Sequence, residues 1–109
     1  MIDYTSKEQG WAEVIISNDS AEIAFVASHL HDSRQDLIRS VATLENYKEA
    51  TVVFQEEPDG YVLHLERDDK HCHYTLHSFK DYDPTALCEL VLEGNISLVS
   101  YKNDIAKIK

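Results

Sequence analysis

Six histidines fall in a chain of 109 residues, and four of them (His64, His71, His73 and His77) lie close to Cys72 in sequence. Such a group invites metal or nucleophile chemistry. His71-Cys72-His73 reads as a chelating triplet until strand alternation is applied, which points Cys72 away from both histidines. His73 and His77 stand four residues apart, roughly 13 Å along a strand, too far to share one ion. A metal site would have to pair His64 with one of them and take a third ligand from Glu66 or Gln55. That remains an alternative; the expectation is no metal site and no cofactor. His29-x-His31 sits where a strand meets a helix and has no third ligand nearby.

Nucleophilic catalysis finds no better footing. Ser28 beside His29 and Cys72 beside two histidines lack the sharp strand-to-helix turn that exposes an activated nucleophile. Gly10, Gly60 and Gly94 are isolated, so no glycine-rich loop can cradle phosphate. Glu56-Glu57 and Asp68-Asp69 flank turns, and the alternating acids of an EF-hand loop are missing. The chain reads as a binding protein and not an enzyme.

The elements that must position these residues follow from periodicity. Residues 1–10 are polar and predict a frayed start. Ala12, Val14 and Ile16 alternate on one strand and Ile23, Phe25 and Ala27 on the next, with Asn18-Asp19-Ser20 turning between them. Asp32 or Ser33 caps a helix whose apolar stripe is Leu37, Ile38, Val41 and Leu44, ending near Asn46-Tyr47. Thr51–Glu57, Tyr61–Arg67 and Cys72–Phe79 form a meander, turned at Pro58-Asp59-Gly60 and at Asp69-Lys70. That register pairs Leu63 with Leu76 and Leu65 with Tyr74 on one face, leaving His64, Glu66, His73 and His77 on the other. Cys88–Glu93 makes a sixth strand. Ser97 caps a last helix carrying Leu98, Tyr101, Ile105 and Ile108. The expected fold class is α+β: a mainly antiparallel sheet of about six strands, order β-β-α-β-β-β-β-α, with both helices on its apolar face.

Length and composition bound the rest. Residues 1–109 suit one domain, and 43% hydrophobic residues supply a core without staples. The net charge is −10, with acids spread along the chain. Such a surface repels nucleic acid and anionic membrane and attracts basic partners. Cys72 and Cys88 suit buried free thiols in a reducing cytoplasm. The polar start Met1-Ile2-Asp3-Tyr4 is unlike a signal peptide, and no apolar run nears the ~20 residues that span a bilayer.

What remains is an acidic surface with aromatics among the acids. The candidate partner-binding residues are Glu56, Glu57 and Asp59 at one turn, Asp68 and Asp69 at the next, and Asp81, Tyr82 and Asp83 in the following loop. His64, Glu66, His73 and His77 on the open sheet face complete the set.

Two stretches carry a resemblance. Val26-Ala27-Ser28-His29-Leu30-His31-Asp32-Ser33 leads into the helix, and Phe54-Gln55-Glu56-Glu57-Pro58-Asp59-Gly60-Tyr61 follows it. The pattern resembles a group of small acidic bacterial proteins, several of them encoded near polymorphic toxins. In size, charge and layout the whole chain is similar to immunity proteins of contact-dependent growth inhibition systems. That resemblance implies a cytoplasmic protein, monomeric outside its complex, that covers the active site of a cognate toxin. Many such toxins are nucleases, whose clefts are basic. It implies no site residues, since the class shares none. An acidic secretion chaperone, normally a dimer, is the alternative from another class.

Overall fold

The computed structural model describes residues 1–108. Among these described residues seven strands and two α-helices follow one another as β-β-β-α-β-β-β-β-α, an α+β fold. The strands are β1 (Ile2–Ser6), β2 (Ala12–Ser17), β3 (Glu22–Ala27), β4 (Glu49–Gln55), β5 (Gly60–Asp68), β6 (His71–Phe79) and β7 (Leu87–Ser97). The helices are α1 (Ser33–Asn46) and α2 (Leu98–Ala106).

The expected single sheet is two antiparallel sheets, ordered β1-β2-β3 and β4-β5-β6-β7. Residues 1–10 are not frayed. Ile2 and Tyr4 are buried opposite Ile16 and Val14, and the Met1 ammonium pairs with Asp104 at 3.2 Å. A strand with only two inward apolar residues carries little periodic signal, yet a ladder and an ion pair hold it.

The hairpin of β2 and β3 has the predicted alternation, with Val14 against Phe25 and Ala12 against Ala27. Its inner face packs over the inner face of the larger sheet. Phe25 meets Phe54 edge-on at 5.3 Å between ring centres and Tyr61 at 4.4 Å. The Tyr74 hydroxyl donates to the Ser17 carbonyl at 2.7 Å. Both sheets and both helices therefore share one core.

Asp32 caps α1 by accepting from the Gln35 amide at 2.9 Å. The buried stripe differs from expectation by one position: Ile38 is exposed and Ser40 is buried with Leu37 and Leu44. A hydroxyl can be buried there because Ser40 Oγ donates to the Leu37 carbonyl and meets the Tyr101 hydroxyl, each at 2.6 Å. Ser97 caps α2, accepting from the Ser100 amide at 3.1 Å.

The β5–β6 register is the one alternation demands, Leu63 opposite Leu76 and Leu65 opposite Tyr74, with Asp69-Lys70 at the tip. Tyr74 is buried, while Tyr61 is only half-buried. β4 begins at Glu49, two residues earlier than predicted, and β7 runs through Gly94 instead of stopping there. Gly94 faces Tyr74, and a Cβ there would lie 2.5 Å from the tyrosine oxygen, so only glycine leaves the ring its place. Cys72 is buried but Cys88 is exposed, because Leu87–Val91 extends past the core.

Candidate functional site

The larger sheet presents its outer face in cross-strand rows. Glu49, Glu66, His73 and Asn95 form one row across β4 to β7. Thr51, His64, Thr75 and Glu93 form the next, followed by Val53, Val62, His77 and Leu90. Strand alternation puts these on one face because their partners, Ala50, Val52, Leu63, Leu65, Cys72, Tyr74 and Leu76, fill the core.

On this face His64 Nε2 lies 3.3 Å from both Glu49 Oε1 and Glu66 Oε1, with Thr51 Oγ1 3.2 Å from its Nδ1. His73 sits between Glu93, at 3.3 Å, and Asn95, at 3.1 Å. His77 stands apart, opposite Val62 and Leu90. Gln55, once a possible ligand, is buried and turned to the Pro58 and Asp59 carbonyls. Glu49, absent from the sequence reading, belongs to the cluster; extending the alternation two residues upstream from Thr51 would have found it.

The acidic turn residues form two groups. The β4–β5 turn carries Glu56, Glu57 and Asp59, and the loop before β7 carries Asp81, Tyr82 and Asp83. A bond from the Tyr82 amide to the Pro58 carbonyl, 2.8 Å, joins them at one end of the sheet. Asp68 and Asp69 lie at the other end, about 26 Å away along the nine residues of β5. The twelve candidates are thus an acidic end, an open face and a remote tip.

The acidic end is braced from within. The Glu56 and Glu57 amides both donate to the Asp59 carbonyl, at 2.8 and 3.0 Å. Partial burial, then the Asp59 charge, pushes the Glu56 carboxyl above its ordinary value. Burial first, then Glu56 and Asp59, raises the neighbouring Tyr61 phenol. Asp83 goes the other way: the Thr85 hydroxyl (2.6 Å) and the Thr85 amide (3.1 Å) stabilise its charged form and lower it. Tyr82 is 57% exposed and held in the left-handed region at φ 60°, beside Asp81 at 55° and across from Glu57 at 85°. A large side chain kept in that conformation costs roughly 1–3 kcal/mol and marks a place to look for function.

The nucleophile and junction candidates are absorbed by packing. Ser28 is buried, its amide on the Gln55 carbonyl and its Oγ accepting from the Leu30 amide. His29 packs edge-on to Trp11. His31 Nε2 lies 2.6 Å from Asp36 Oδ2, which also accepts from the Val53 amide. No helix among the described residues is long and apolar enough to cross a membrane.

No protein-family model matches the chain, and no curated protein resembles it in sequence. Its fold is another matter. It is similar to a chain of the CdiA-CT/CdiI toxin and immunity complex from Enterobacter cloacae, with a TM-score of 0.64. The likeness covers 97% of both chains at 11% sequence identity. At that identity it is a likeness of fold.

Proposed function

We propose that the chain is an immunity-type protein that binds a toxin domain in the cytoplasm and holds it inactive, without catalysis of its own. The observation that carries this reading is the shared fold, end to end, with a chain of a toxin and immunity complex. The net charge of −10 and the braced acidic end give the reading a physical form.

In that form the acidic end meets a basic cleft, the surface a nuclease uses to receive phosphates. Glu56, Glu57, Asp59, Asp81 and Asp83 supply long-range attraction and raise the association rate. Tyr82, exposed and fixed by its backbone, supplies the desolvated anchor on which affinity depends. Outside the complex the chain is a monomer.

Tagging the C-terminus, recovering complexes from the native host and identifying the retained proteins by mass spectrometry tests the reading. The expected result is one basic domain that is toxic alone and harmless when co-expressed with this chain. Recovery of a secreted effector's N-terminal segment by a dimeric form would replace the reading with a chaperone.

A further inference from the structure

Glu49 and Glu66 stand directly opposite one another on β4 and β5. Like charges so placed destabilise a sheet, and the chain already carries a net charge of −10. Neither carboxylate has a lysine or arginine partner among the described residues; the side chain between them is His64. Their ligand atoms and His64 Nε2 all lie within 4.8 Å of one another.

We propose that Glu49, His64 and Glu66 form a binding site for a divalent transition-metal cation of the zinc class. Zinc takes carboxylate oxygen and imidazole nitrogen at about 2.0–2.2 Å, so the edge of its tetrahedron measures about 3.3–3.5 Å. The two nitrogen–oxygen distances are both 3.3 Å, already at that edge. A small rotation of either glutamate closes the third edge. Thr51 supplies the outer contact: with Nδ1–H donating to Thr51 Oγ1 at 3.2 Å, the Nε2 lone pair is left for the metal. β5 is an inner strand with ladders on both sides, so two of the three ligands sit on a rigid base. The fourth position opens to water. The cation would replace a repulsive pair with a shared bond, and the proposal does not depend on the toxin reading.

The test is a calorimetric titration of the purified, chelator-stripped full chain with zinc chloride at neutral pH, with magnesium chloride as the comparison. One zinc per chain is expected, with no saturable magnesium binding, since magnesium demands octahedral oxygen ligands. Glu49→Gln, Glu66→Gln and Thr51→Val should each weaken zinc by about tenfold or more. His64→Gln should abolish binding, while His73→Gln and His77→Gln should retain it. Saturating zinc should raise the melting temperature of the parent chain and not of His64→Gln, whose own melting transition reports that it folds. Absence of saturable zinc binding overturns the proposal, as does zinc binding that survives His64→Gln or both glutamate substitutions. In that case His64 is a polar bridge between two carboxylates and nothing more.

Discussion

Replacing Tyr101 with Phe should make the protein less stable at neutral pH and more stable in strong alkali. Tyr101 is fully buried and its hydroxyl meets Ser40 Oγ at 2.6 Å. Ser40 keeps its bond to the Leu37 carbonyl in the variant, so the neutral-pH loss is one hydrogen bond, about 0.5–1.5 kcal/mol. Burial, against the opposing Ser40 bond, pushes the Tyr101 phenol up to about 12. Below pH about 10 both folded and unfolded chains hold the proton, and the phenol adds no pH dependence. Between about 10 and about 12 only the unfolded chain ionises, so stability falls as pH rises. Two pH units correspond to about 2.7 kcal/mol, a sizeable share of a typical domain's 5–15 kcal/mol. Burial also raises Tyr61, Cys72 and Tyr74, so the parent chain has further alkaline losses that the variant keeps. The difference between the two proteins isolates Tyr101. Urea unfolding followed by Trp11 fluorescence, under reductant, from pH 7 to about 12 should give stability curves that cross near pH about 11. Parallel curves would refute the reasoning, since the Tyr101 phenol would then ionise alike in both states.

Three further substitutions probe the rest of the molecule. Gly94→Ala places a methyl 2.5 Å from the oxygen of Tyr74, whose ring is pinned by its bond to Ser17, and should cost about 1–3 kcal/mol. Thermal melting checks it, and Tyr74→Phe in the same chain should recover part of the loss; an unshifted melting temperature would contradict the packing. Tyr82→Gly should weaken partner binding by about 2 kcal/mol, mainly through faster dissociation, without lowering the melting temperature, because glycine accepts φ 60° freely. Surface plasmon resonance with the recovered partner reads both rates, and unchanged dissociation removes Tyr82 from the interface.

How much of this was legible depends on the length of each pattern. The β5–β6 register could be read because nine-residue strands on both sides alternate, and a one-residue slip would have mixed Leu63 and Leu65 with His64 and Glu66. β1 could not, because Ile2 and Tyr4 are its only inward apolar residues. Alternation says which side of a strand is buried, not which strand lies beside it, so one sheet was expected where β1-β2-β3 stands alone. The α1 stripe slipped from Ser40 to Ile38 because the partner that makes a buried serine tolerable, Tyr101, lies 61 residues away. Of the site, Glu49 was lost to a strand boundary. The joining of Glu56, Glu57 and Asp59 with Asp81, Tyr82 and Asp83 was within reach, since in an up-and-down meander alternate turns share an end.

That same topology makes the electrostatic part of the proposal divisible. A partner seated on the β4–β5 turn must also meet the loop before β7, because the Tyr82 amide ties one to the other. Asp68 and Asp69 lie about 26 Å off along β5, some three Debye lengths at physiological salt. Neutralising Glu56, Glu57, Asp59, Asp81 and Asp83 to amides halves the net charge of −10 and should slow association about tenfold or more at low salt. The dependence of that rate on salt should flatten as well. Asp68→Asn with Asp69→Asn should have a much smaller effect, and almost none at physiological salt, where their field no longer reaches the contact. Stopped-flow association with the recovered partner across a salt series distinguishes the two sets. Equal slowing per charge from both ends would mean that overall charge, and not the acidic end, guides the encounter; an unchanged rate from the five-residue variant would place the contact elsewhere.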